Sequence, residues 1–180
     1  MGNKLALVTG GAQRIGAAIS RELHAAGYTV ALHYRHSSAA AQALAAELNA
    51  QRPESCLLYR ADLSSVHEIR AMAGEVQANH DQLELLVNNA SGFEPTPLEH
   101  CTEAEFDNML GANLKGPYFL VQQLLPALRR GKGNIVNILD VHAQYPLAGF
   151  SAYCAAKAGL AALTRSLALE LAPDIRANGV

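Results

Sequence analysis

The sequence predicts an α/β fold, a doubly wound parallel sheet with helices on both faces. Two observations predict it. Short β-rich runs alternate along the chain with longer, Ala-rich runs of helical period. A glycine cluster, Thr9 to Gly16, joins the first β-rich run to the first helical one. Such alternation implies parallel strands and right-handed crossovers, which distribute the helices over both faces.

The elements follow in order. "KLALVT" (4–9) reads as a buried strand, and "RIGAAISRELHAAG" (14–27) as a helix that Gly27 terminates. "YTVALHY" (28–34) is a second strand; "SAAAQALAAELNAQR" (38–52), a run of strong helix formers, stops at Pro53. "SCLLYRA" (55–61) is a third strand, 65–80 a helix, and "LELLVNNA" (83–90) a fourth strand. A loop containing Gly and Pro covers 91–101. Residues 102–130 read as one long helical stretch, opened by a Thr102–Glu105 capping box and bent at Pro117 and Pro126. "GNIVNIL" (133–139) is a fifth strand; 150–172 is a helix interrupted by Pro173, and "IRANGV" (175–180) begins a sixth strand.

Half the residues are hydrophobic and 17% are charged, the composition of one ordinary globular domain spanning 1–180. A net charge of −2 gives no field for nucleic acid or anionic lipid. Cys56, Cys101 and Cys154 are widely spaced, as free thiols in a reducing compartment are. "MGNKLALVTGG" fits neither a signal peptide nor a myristoylation site. No apolar run reaches the length of a membrane span. A soluble cytoplasmic protein is the expectation.

"TGGAQRIG" (9–16) follows a strand and opens a helix, the context in which glycines admit a pyrophosphate to a helix N-terminus. The second strand ends in "LHYRHSS", which offers Arg35, His36 and Ser37 and no acid. A ribose 2′-phosphate wants cations and hydroxyls, whereas a carboxylate would repel it, so NADPH is favoured over NADH. "HYRH" is not read as a metal site, because no carboxylate or cysteine stands near it. "YCAAK" puts Tyr153 and Lys157 at i and i+4, on one face of a helix. A neighbouring ammonium is expected to pull the phenol's pKa down and make it a proton donor or acceptor.

The glycine loop, "NNA" (88–90), Asn113 of "GANLKG", the Tyr-Lys pair and "IRANGV" together resemble the short-chain dehydrogenase/reductase family, over essentially all 180 residues. The resemblance implies a Rossmann-type, NADP-binding fold and an oxidoreductase. Gly10 and Gly16 keep the family's glycine positions, while Arg14 replaces the middle one. The resemblance gives Asp62 the adenine amino group and has Asn89 steady the sheet beside the cofactor. It adds Ile15, Tyr34, Leu63, Ala90 and Ser91 to the cofactor contacts, with Tyr153 and Lys157. It implies that Asn113 bends its helix and holds a water leading to Lys157. Cys154, turned about 100° from Tyr153, is expected only to pack.

Asp140, at the end of the fifth strand, stands where the family usually has a serine that donates to a carbonyl oxygen. An ionised carboxylate there would repel the oxyanion. Either the site keeps Asp140 protonated, or the substrate is a C=N compound whose nitrogens a carboxylate can bind, or the aspartate simply caps the next turn. The Asp thirteen residues before the Tyr, the Arg14 loop, "HYRHS" and "NNASGFEPTPL" resemble the pteridine reductase branch of the family. That branch implies NADPH-dependent reduction of a pterin or dihydrofolate-type C=N bond. Arg14, Ser91, Phe93, Asp140, Leu147 and Tyr153 would meet the substrate, with Phe93 stacked on its ring. It also implies a homotetramer serving folate metabolism. The alternatives are a carbonyl reductase of the 3-oxoacyl type and a non-catalytic NADP-binding module. The family continues past "NGV" with a Pro-Gly motif, a helical lid over the substrate and a last strand. The chain is therefore expected to be truncated at its C-terminus, and poorly active alone.

Overall fold

The computed structural model describes residues 4–180; Met1 to Asn3, on which the reading of the N-terminus turns, lie outside the described residues. The elements run β1 (Leu5–Val8), α1 (Arg14–Ala25), β2 (Thr29–Tyr34), α2 (Ser38–Gln51), β3 (Cys56–Arg60), α3 (Val66–Asn79) and β4 (Leu85–Asn88). After a loop come α4 (Glu103–Leu110), a π-helical turn (Gly111–Lys115), α5 (Gly116–Arg130), β5 (Asn134–Asn137), α6 (Ser151–Glu170) and β6 (Arg176–Gly179). A single turn of 3₁₀ helix, Val141–Ala143, follows β5.

All strands are parallel, in the order β3-β2-β1-β4-β5-β6. The chain builds outward from β1 in one direction, then returns and builds in the other. The β1/β4 boundary is therefore the switch point, where a crevice opens beyond the strand ends. Strands covered on both faces read as unbroken apolar runs rather than as alternation. Leu5 and Leu7 of β1 face the layer that holds Ile69, Met72, Leu120, Leu124 and Leu128 of α3 and α5. Val8, Val30 and Leu32 face α1 and α2 through Ala17, Leu44 and Leu48. Among the described residues no helix is long and apolar enough to cross a membrane.

The predicted helix over 102–130 is the main departure. Its capping box is present, Thr102 with Glu105, but the irregular turn lies at 111–115, one turn before Pro117. Pro117 stands in the first turn of α5, and α5 runs unbroken through Pro126 to Arg130. The cause is local. Pro117 has no N–H to return to the preceding turn, and Asn113 Nδ2 donates to the carbonyl of Met109 at 2.9 Å within its own helix. A side chain thus supports the widened turn. Pro126 is exposed beside exposed Gln122, so the carbonyl it leaves free can bond water.

A buried amide ladder ties the C-terminal ends of β4 and β5 to α6. Asn88 Nδ2 donates to Asn137 Oδ1 at 2.8 Å, and Asn137 Nδ2 donates to Thr164 Oγ1 at 2.8 Å. Asn88 and Asn137 are register partners, and Asn137 is fully buried. The substitution Asn137→Ala strands the buried Asn88 amide, while Thr164 keeps its bond to the carbonyl of Leu160 at 2.7 Å. Urea denaturation is expected to show a loss of about 2–4 kcal/mol; a loss under about 0.5 kcal/mol would mean that the ladder is structurally idle.

Candidate active site

The crevice at the switch point is a cleft of about 540 Å³. The glycine loop forms one wall. Gly10 sits at φ +60°, and a Cβ on Gly16 would stand 2.0 Å from the carbonyl oxygen of Gly10. The loop closes only because that position has no side chain. Arg14, which replaces a glycine of the resembled motif, is forced to φ +50°, a left-handed conformation that costs a bulky residue about 1–2 kcal/mol. Such strain persists where the surroundings impose it, commonly at ligand sites. Behind the loop, Gln13 stands at the N-cap of α1 but makes no side-chain cap, and the helix has no acid in its first turn. Its free N–H groups and positive dipole end are open to an anion.

Every sequence-predicted cofactor residue other than Tyr153 and Lys157 lines this cleft: Gly10, Arg14, Ile15, Gly16, Tyr34, Arg35, His36, Ser37, Asp62, Leu63, Asn89, Ala90 and Ser91. Arg35 pairs with Asp62, Nη2 to Oδ2 at 2.7 Å. Ser64 donates its N–H and hydroxyl to the other Asp62 oxygen, at 2.9 and 2.7 Å. Burial pushes the Asp62 carboxyl up, but those bonds and the charges of Arg35 and His36 outweigh it and hold the group below the usual range. Asn89 Nδ2 donates to the carbonyls of Thr9 and Gly10 at 2.8 and 3.2 Å, which joins β4's end to the loop.

Ser91 and Phe93 carry the cleft toward the Tyr-Lys pair. Ser91 Oγ donates to Asn113 Oδ1 at 2.7 Å. Asn113 is buried, and Nδ2 also donates to Gly92 O at 3.0 Å. Phe93 is half exposed; it stacks on Phe150 at 4.5 Å and meets Tyr153 edge-on at 4.8 Å. Like Asp140 and Tyr153, Leu147 stands outside the residues that line the glycine-loop cleft. It packs with Met109, Tyr153 and Cys154, and its N–H donates to Cys154 Sγ at 3.3 Å. Cys154 is buried there, in keeping with a packing role.

Tyr153 donates its hydroxyl to Asp140 Oδ2 at 2.6 Å, and Asp140 Oδ1 accepts the N–H of His142 at 2.8 Å. One carboxylate thus caps the turn after β5 and holds the phenol as well. Burial acts to raise the Asp140 carboxyl, yet the bonds from Tyr153 and His142 and the charges of His142 and Lys157 prevail, so its pKa lies below the ordinary value. Near neutrality it is an anion, which disfavours the protonated alternative.

The expected effect of Lys157 on Tyr153 is not met. Tyr153 is raised well above the ordinary phenol, first by burial and then by the hydrogen bond to Asp140 and its charge, with Ser91 opposing. Lys157 donates Nζ to Ile138 O at 2.9 Å and lies 5.8 Å from the centre of the Tyr153 ring. Burial pulls the Lys157 ammonium down, against the charge of Asp140. The helical spacing of Tyr and Lys was legible, but what the acid does to the phenol was not. Sequence reasoning also missed Phe150, which backs Phe93, and His33 beneath the glycine loop. His33 had one available signal, a polar residue inside an otherwise apolar strand.

Comparison with known proteins follows the same lines. The family model described as short chain dehydrogenase matches residues 4–180. Pteridine reductase 1 of Leishmania tarentolae is 39% identical over 215 aligned positions, covering 98% of this chain and 74% of that protein. A 3-oxoacyl-(acyl-carrier-protein) reductase of Staphylococcus aureus is 36% identical over 170, covering 94% and 69%. A probable galactose dehydrogenase of Rhizobium meliloti is 36% identical over 176, covering 97% and 68%.

The coupling of acid and phenol is measurable. In protein carrying ¹³Cζ-tyrosine, with Tyr153 assigned by Tyr153→Phe, the substitution Asp140→Asn is expected to lower the titration midpoint of Tyr153 by about one pH unit or more. An unmoved midpoint contradicts the coupling.

Proposed function

This chain belongs to the short-chain dehydrogenase family and is an NAD(P)-dependent oxidoreductase, and we propose that it reduces a C=N bond of a pterin or dihydrofolate-type substrate with NADPH. The cleft suits the dinucleotide: a glycine cradle that a single Cβ would block, an uncapped helix N-terminus, and Arg35, His36 and Ser37 at the ribose end. Arg35 keeps further guanidinium donors for a 2′-phosphate while bound to Asp62. When bound, the cofactor supplies the hydride.

The chain's own residues handle orientation and the proton. The carrying observation is the 2.6 Å hydrogen bond from Tyr153 to the Asp140 carboxyl, which helps hold that group below its ordinary pKa. A ketone gains negative charge on its oxygen as hydride arrives, and Asp140 would oppose that charge. A pterin presents ring N–H and amine donors, which a carboxylate accepts in pairs. Phe93, backed by Phe150, offers its exposed half to a flat ring. Hydride adds to carbon, and the nitrogen must gain one proton. Tyr153 holds a proton firmly until the nitrogen becomes strongly basic, and then transfers it. The phenolate left behind is stabilised when the Ser91 hydroxyl, donated to Asn113 Oδ1 in the free cleft, turns to it.

The Staphylococcus relative supports a second reading, reduction of a 3-oxoacyl thioester. Steady-state turnover with NADPH separates the two. Dihydropterin is the expected substrate, and Asp140→Ser is expected to lower its kcat/KM by about 100-fold or more. Preference for the β-ketoacyl thioester, or pterin reduction unharmed in Asp140→Ser, overturns the assignment.

A further inference from the structure

His33 is the fifth residue of β2, a buried strand, and it is 2% exposed. Both its ring nitrogens are engaged. The N–H of Gly10 donates to Nδ1 at 3.1 Å, and Nε2 lies 3.0 Å from the carbonyl oxygen of Ala61. A backbone N–H can only donate and a carbonyl can only accept. These partners fix one protonation state, a neutral ring with its hydrogen on Nε2. The other tautomer would set N–H against N–H at Gly10 and a lone pair against oxygen at Ala61. An imidazolium would repeat the clash at Gly10.

The contacts at residue 33 reach further into the loop. The N–H of Gly11 donates to the backbone carbonyl of His33 at 2.9 Å. Two successive amides of the glycine loop therefore end on this one residue, while its ring braces the far side against the end of β3. Gly10 is the residue at φ +60°, and its carbonyl is the atom closest to Gly16.

We infer that His33 is a positioning residue for cofactor binding: its neutral ring clamps Gly10, sets the turn of the glycine loop, and so aims α1's N-terminus at the pyrophosphate. This rests on the reading of the cleft as a nicotinamide dinucleotide site. The surrounding charges are Asp62, next to Ala61, with Arg35 and His36 at the end of β2 and Arg14 in the loop, all lining the same cleft. Burial keeps the ring neutral below the ordinary histidine range, against the Ala61 hydrogen bond and the charge of Asp62. The neutral clamp is thus complete above about pH 6.5, the ordinary histidine value, and is lost as pH falls through the lower native value.

The test is the dissociation constant of NADPH at neutral pH for wild type, His33→Asn and His33→Phe. The asparagine oxygen takes the place of Nδ1 and can accept from Gly10, whereas phenylalanine fills the space and leaves that N–H unpaired. His33→Phe is expected to weaken binding about tenfold or more, and His33→Asn to stay within about threefold of wild type. Long-range ¹H–¹⁵N spectra of wild type, with and without NADP, are expected to show a bare Nδ1 and a protonated Nε2. Equal weakening in both variants, no weakening in either, or a protonated Nδ1 overturns the clamp. Should His33→Phe not fold, His33→Asn and the wild-type spectra still decide it. A wild type that binds no NADPH overturns the cofactor reading and this inference with it, whereas wild-type binding with unaffected variants overturns only the clamp.

Discussion

The hydroxyl of Tyr153 donates to Asp140 across 2.6 Å, and the chemistry open to the cleft follows from that contact. It keeps the acid ionised and the phenol protonated, each group's preference reinforcing the other's. A site so arranged carries a fixed negative charge where a carbonyl-reducing site needs a hydrogen-bond donor. The charge is no stray surface feature. The same carboxylate caps the turn that leads from β5 toward α6, so moving it would move the loop that bears Leu147.

The sheet exists, in this sense, to hold a few groups still. Strand ends at the switch point deliver the glycine loop and Asn89 to one crevice, and Tyr153, edge-on to Phe93 of its lining, ties the Asp140 turn to its end. The Asn88–Asn137–Thr164 ladder locks β4 and β5 to α6, the helix that carries Tyr153 and Lys157. On the other side, Asn89 and His33 fasten the glycine loop from opposite flanks. Buried polar bonds of this kind add less to net stability than apolar contacts do, yet they are directional and so favour one geometry over its neighbours.

Much of this was legible in the sequence, wherever the signal is local. Apolar runs bounded by turn residues marked all six strands, and helical spacing placed Tyr153 beside Lys157. The glycine loop announced its own fold. What was illegible depends on groups that meet only in three dimensions. The prolines marked the long helical stretch as bent, but the irregular turn settled at Asn113, whose amide supports it. Lys157 was expected to acidify Tyr153, whereas burial and Asp140 do the reverse. Of the readings left open for Asp140, the turn cap is seen in the bond from the His142 N–H to Oδ1, while the other oxygen holds the Tyr153 hydroxyl, a contact that no local signal announced. Arg14 shows a further limit: the sequence revealed the lost glycine but not that the backbone kept glycine's left-handed conformation.

The most direct measurement is the carboxyl ¹³C resonance of Asp140, followed in the free protein and in its complex with NADP and a pterin analogue. The account predicts a carboxylate signal throughout, from about pH 5 to pH 8, above the ordinary aspartate range. It also predicts that the signal shifts when the pterin analogue binds and does not shift with a ketone analogue. A protonated Asp140 in the complex, or a resonance indifferent to the pterin, would contradict the claim that an anion at this position selects a nitrogen heterocycle.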